Sequence, residues 1–150
     1  MIQIHTGKYL NTLLLCLLSA LFFITSSCKK ETKQGVPFVA VDIRLYSSDP
    51  SFVGLNAVGG WTYVDGGNRG ILIYRKTTSE FNAFDRSCTY NATDVNEQVS
   101  VEKANNVIAT DAHCGSKFLM TDGSVSQGPA GLPLKAYQTS FDGTMLHIYN

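Results

Sequence analysis

The chain has 150 residues, 44% hydrophobic and only 16% charged, with twelve basic and twelve acidic residues in balance. That size fits one compact domain after any processing. The composition excludes an electrostatic nucleic-acid binder, because there is no cationic excess to displace counterions and no Lys/Arg cluster larger than a pair such as Lys29 and Lys30.

The first element in chain order is a targeting segment. Lys8 supplies a positive flank, Leu13 to Ile24 is an apolar run of twelve, and Thr25 to Cys28 places small residues where a cleavage site belongs. Twelve residues are too few for a helix to cross a hydrocarbon core that needs ~20. The "TSSC" ending resembles the lipobox of bacterial lipoproteins, although Thr25 stands where leucine is usual. The resemblance implies residues 1–27 as a lipoprotein signal peptide and Cys28 as the acylated first residue of the mature chain. Residues 28–35 then form a polar tether, and residues 36–150 the folded domain. Membrane attachment through this lipid is the expected partner, with an envelope protein as a further one. Lys30 after Lys29 points to the outer membrane of a bacterial envelope.

After that processing the domain keeps two cysteines, Cys88 and Cys114, and two histidines, His113 and His147. From Val36 onward the pattern is of short strands. Val39, Val41, Ile43 and Leu45 alternate with Ala40, Asp42, Arg44 and Tyr46, the period of a half-buried strand. Two β-rich runs flank Asp65-Gly66-Gly67-Asn68, residue types that tolerate positive φ at a hairpin tip. Further turns are expected at Thr121–Ser124 and Phe141–Thr144. No window sustains a 3.6 period long enough for a substantial helix, so the domain reads as all-β.

Trp61, Tyr63, Tyr74 and Phe84 are expected to pack on strands. His147 alternates with Leu146 and Ile148 and is expected to face solvent or a neighbouring strand. Asp85 and Arg86 are candidates for a loop salt bridge. No catalytic nucleophile, base and orienting acid can be assembled, nor is there a phosphate-binding glycine loop, so an enzyme is not indicated.

The ordered series "FDRSC", "CGSKF", "TDGS", "GPA" and "PLKAY", between Phe84 and Tyr137, resembles the cluster-binding subdomain of Rieske iron-sulfur proteins. That family holds a [2Fe-2S] centre with C-x-H on one loop and C-x-x-H-G-S-x-F on a second. The resemblance implies a Rieske-like antiparallel β-sandwich with a small cluster-binding-type subdomain, the loops around Cys88, Cys114 and Pro129 converging at one end. In this register the ligand positions are Cys88, Tyr90, Asp111 and Cys114, so one family ligand of four survives. A Rieske centre takes two thiolates on one iron and two imidazoles on the other. Phenol and carboxylate are harder donors, and the ordinary cluster is not expected.

Three outcomes stay open for the two cysteines. They close a disulfide, which the oxidising envelope favours and which would stabilise the domain by roughly 3.5 kcal/mol. Alternatively Cys88, His113 and Cys114 hold mononuclear iron or an atypical [2Fe-2S] centre, or both thiols stay free. Two functions correspond: a cluster-free binding or structural module of the envelope, with no cofactor, or an electron-transfer protein with an altered iron site.

Overall fold

The computed structural model describes residues 35–150. The signal segment, Cys16, the lipidation position Cys28 and the tether, apart from Gly35, lie outside the described residues. Ten strands follow in order: β1 (Asp42–Tyr46), β2 (Trp61–Val64), β3 (Ile71–Arg75), β4 (Phe81–Asp85), β5 (Val99–Glu102), β6 (Asn105–Asp111), β7 (Lys117–Leu119), β8 (Val125–Gln127), β9 (Ala136–Phe141) and β10 (Met145–Tyr149). One 3₁₀ turn, Pro50–Leu55, lies between β1 and β2. Among the described residues no helix is long and apolar enough to cross a membrane.

The strands form a six-stranded sheet, β1-β10-β9-β4-β3-β2, and a four-stranded sheet, β5-β6-β7-β8, with every pairing antiparallel. The larger sheet folds over itself at β9. That strand gives its first two residues to β4 and residues 138–141 to β10. Leu45, Leu146 and Ile148 from one half therefore share a core with Ile71, Ile73, Phe81 and Ala83 from the other. Phe52 and Leu55 of the 3₁₀ turn plug this core, Phe52 stacking on Phe141. The expected alternation of β1 is observed: Val41 and Leu45 are buried, Ile43 is partly buried, and Asp42, Arg44 and Tyr46 are exposed.

β3 explains how the second core is attached. Its sequence Ile-Leu-Ile-Tyr is buried at all four positions, as a strand covered on both faces must be. Ile71 and Ile73 face the first core, whereas Leu72 and Tyr74 face the second with Phe84, Val99, Ala109, Phe118, Met120 and Leu134. Trp61 and Tyr63 pack against that second core, so all four aromatics expected to pack on strands do so.

Asp85 and Arg86 do not pair with each other. The Arg86 guanidinium lies 3.9 Å from the centre of the Tyr63 ring and donates to Val99 O and Ser100 Oγ. Asp85 is fully buried and accepts hydrogen bonds instead. Its charge is met by donors from three chain segments, which removes any need for an adjacent cation.

The hairpin between β2 and β3 turns where expected, and Gly67 shows why the residue type is fixed. Its φ is +60°, a region that side chains disfavour, and a methyl group there would overlap the Asp85 carboxylate and the Tyr137 hydroxyl. Gly67→Ala is expected to cost at least about 2 kcal/mol from backbone strain and overpacking together. A thermal melt of the variant checks this; an unchanged midpoint would show that the turn does not bear on Asp85.

Candidate metal centre

Three loops meet at one end of the smaller sheet. The first follows β4 and carries Cys88. It returns so that Cys88 N donates to Glu97 O at 3.1 Å and Ser87 bridges Gln98. The second, residues 111–116, links β6 to β7 and is closed by Asp111 N to Ser116 O and Gly115 N to Asp111 O, each 2.9 Å. The third runs from Gly128, whose peptide bond to Pro129 is cis, and is tied to the second by Ala130 N donating to Ser116 Oγ at 2.9 Å. Thr89 Oγ1 donates to Leu132 O, tying the first loop to the third.

These ties bring Cys88, Glu97, Asp111 and Cys114 together, with one donor atom from each lying within 4.8 Å of the others. Cys88, Glu97 and Asp111 are 0%, 2% and 0% exposed, and Cys114 is half-buried. The two sulfurs are 3.6 Å apart. A disulfide needs about 2.05 Å, so the expected bond is not formed: both cysteines are free thiols in contact. Cys114 Sγ also donates to Ser116 Oγ at 3.1 Å.

Asp111 organises its own loop. Its Oδ1 accepts from His113 N at 2.7 Å and Cys114 N at 3.4 Å, an Asx-type turn that directs Cys114 inward. Its Oδ2 is buried and has no hydrogen-bond partner, and the same holds for Glu97 Oε2. Two unpartnered carboxylate oxygens beside two thiols are expensive to bury. Burial, followed by the adjacent Asp111 carboxyl, pushes the Glu97 carboxyl above the usual carboxylate range. Burial likewise pushes the Cys88 and Cys114 thiols up. At neutral pH both are thiols rather than thiolates, which rules them out as ready nucleophiles in this state.

Because Glu97 binds its proton more tightly folded than unfolded, its contribution to stability is present below the ordinary carboxylate value. It is lost as pH rises through the raised folded value. Without added metal, the protein is therefore expected to lose stability through this group as pH rises above the ordinary carboxylate value. Glu97→Gln should flatten that dependence, which denaturant midpoints across pH would measure; an unaltered pH slope would remove Glu97 as its source.

Of the residues singled out from sequence, Cys88, Asp111 and Cys114 are brought together with Glu97, and His113 is not part of that group of cysteines and carboxylates. Tyr90 packs against the second core. His113, in the alternative ligand set with Cys88 and Cys114, has a side chain 55% exposed, its Nε2 3.9 Å from Glu97 Oε1. In a tight loop neighbouring side chains diverge, so turning Cys114 inward turns His113 outward. His147 meets the neighbouring strand as expected, 2.7 Å from Asp42 Oδ1 and stacked on Tyr149. Glu97 is the member that sequence reasoning missed; the only trace of it was the need for the Cys88 loop to return beside its own start.

A Rieske-type [2Fe-2S] centre does not fit these residues. It needs two imidazoles on one iron, and the two histidines among the described residues sit at the edge of the site and on β10. The converging donors are two sulfurs and two carboxylates.

No protein-family model matches the chain, and no curated protein matches it in sequence. Among solved structures it is similar to the plasma membrane Rieske protein PetC3 of the cyanobacterium Synechocystis PCC 6803. The TM-score is 0.55 at 22% identity, over 72% of this chain and 99% of that one. It is also similar to the ferredoxin of carbazole 1,9a-dioxygenase from Nocardioides aromaticivorans IC177, with a TM-score of 0.46 at 15% identity over 77% and 98%. Together with the antiparallel two-core architecture and the three converging loops, the likeness to PetC3 shows that residues 35–150 have the Rieske fold.

Proposed function

We propose that this chain is a Rieske-fold module of the bacterial envelope that carries no [2Fe-2S] cluster and acts in binding or envelope structure. The observation that carries the reading is the donor set: Cys88, Glu97, Asp111 and Cys114 converge, while His113 stays at the edge of the site, its side chain more than half exposed and its Nε2 3.9 Å from Glu97 Oε1. A sulfide-bridged iron pair is poorly served by two carboxylates in place of two imidazoles. Acylation of Cys28 tethers the module to the outer membrane, in reach of envelope protein partners. That part rests on the apolar run and the "TSSC" boundary alone.

Protein purified without oxygen from expressing cells should be free of acid-labile sulfide and colourless in the visible. Stoichiometric sulfide with iron-sulfur absorption would overturn the reading. Cys28→Ala should release the domain from membranes, and retention after a high-salt wash would contradict the lipid anchor. A second reading, electron transfer through iron in the altered site, is favoured by the two unpartnered carboxylate oxygens next to the thiols. Redox-active iron without sulfide would support it.

A further inference from the structure

We infer that Cys88, Glu97, Asp111 and Cys114 form a closed site for one divalent transition ion of the zinc(II) or iron(II) class. The inference rests on the cluster-free reading and assigns what occupies the place of the cluster.

Spacing is the first argument. Two thiolates on a tetrahedral ion at about 2.3 Å each stand about 3.8 Å apart. The observed separation of Cys88 Sγ and Cys114 Sγ is 3.6 Å, far from the disulfide length of about 2.05 Å. All four donor atoms lie within 4.8 Å of one another, a convergence that suits one ion better than a two-iron cluster interposed between ligand pairs.

The second argument is polar accounting. Glu97 Oε2 and Asp111 Oδ2 are buried without partners, on residues 2% and 0% exposed. Native interiors rarely leave such atoms unmet; a proton shared between the two carboxyls meets them in the metal-free state, and a bound ion meets them in the loaded one. Two sulfurs and two carboxylate oxygens are a donor set for a borderline ion, too soft for calcium or magnesium and too hard for copper(I).

Support for the ligands is the third. Ser116 Oγ holds Cys114 Sγ and is itself fixed by Ala130 N. Asp111 Oδ1 is fixed by His113 N and Cys114 N, leaving Oδ2 free for the ion. Cys88 N is bonded to Glu97 O, which sets these two ligands side by side. Such outer contacts orient ligands in metal sites. When the ion enters, each thiol gives its proton to solvent and its sulfur takes the ion, with no change of oxidation state. Zinc would serve the structural reading and iron the electron-transfer reading.

The test is titration of the full-length chain in detergent, stripped of metal and kept reduced, with cobalt(II) as a spectroscopic probe. One equivalent should produce the thiolate charge-transfer and ligand-field bands of tetrahedral cobalt, and zinc should abolish them. Saturating zinc at about a hundredfold over Kd should raise Tm by roughly 10 °C. Cys88→Ser should lose the charge-transfer intensity. Glu97→Gln, which replaces one carboxylate oxygen with an uncharged NH2 that can donate to Asp111, should fold as well as the parent without metal yet lose at least about tenfold in affinity. Absence of tetrahedral bands in the reduced parent, or a Glu97→Gln variant that binds like the parent, overturns the site. Acid-labile sulfide in the native protein would instead overturn the cluster-free reading, so the two failures are distinguishable.

Discussion

Asp85→Ala is expected to cost about 3–6 kcal/mol, a large part of the ~5–15 kcal/mol by which a domain of this size is stable. The carboxylate accepts from Tyr137 Oη at 2.8 Å, from Asn68 N at 2.6 Å and from Ser87 N at 2.8 Å. These donors come from β9, from the β2–β3 turn and from the start of the Cys88 loop. Removing the acceptor leaves all three without it in an interior where each unmade bond costs about 1–3 kcal/mol. Tyr137→Phe deletes one donor and leaves the other two in place, so it should cost only about 1–2 kcal/mol. The Tyr137 hydroxyl is held protonated by its own burial and by the Asp85 charge, and it stays a donor through the physiological range. Chemical denaturation of both variants checks the ratio. Equal losses would mean that Tyr137 carries the network, and a loss below ~1 kcal/mol for Asp85→Ala would mean that water replaces it.

Phe118→Ala is expected to cost about 3–5 kcal/mol, the range for truncating a buried aromatic. Phe118 lies on β7, is 0% exposed and packs in the second core beneath the loops that carry Cys88 and Cys114. The damage should be regional, because the first core shares no side chain with it. Amide exchange should rise through β5 to β8 while β9 and β10 keep their protection, and Cys114 should become readily alkylated. Phe52→Ala, in the first core, should lower stability comparably and leave Cys114 protected. Uniform exchange in both variants would show that the two cores unfold as one unit.

The parts of this molecule legible in sequence are those governed by local rules. The alternation from Val39 to Leu45 gave the face of β1, and the turn residues at Gly67, Gly123 and Gly143 marked hairpins that exist, each glycine having positive φ. Spacing of the Cys88, Cys114 and Pro129 segments, read through the Rieske resemblance, placed the three loops at one end. The β5–β6 hairpin carried no such signal, since its Lys103-Ala104 tip lacks turn residues.

The site was half legible for a related reason. Cys88, Asp111 and Cys114 sit at positions that the resemblance picks out. Which of His113 and Cys114 points inward depends on Asp111 Oδ1 capping the following amides, a geometry that no composition rule reports. Glu97 was illegible because a glutamate in a polar loop is normally solvated. Here the loop returns on Cys88, and its backbone pairing forces the side chain inside. The sulfur pair was foreseen as close, and the expectation of a covalent bond failed on distance alone.

The most direct measurement of the central claim is X-ray absorption fine structure at the edge of whatever metal is bound to the protein isolated without oxygen. The account predicts a single ion with two sulfur neighbours at about 2.3 Å and two light oxygen neighbours at about 2.0–2.2 Å. No second metal should lie nearby, and the sulfur shell should be lost in Cys88→Ser. A short iron–iron vector with bridging sulfide, or no ion above trace in the reduced protein, would contradict it.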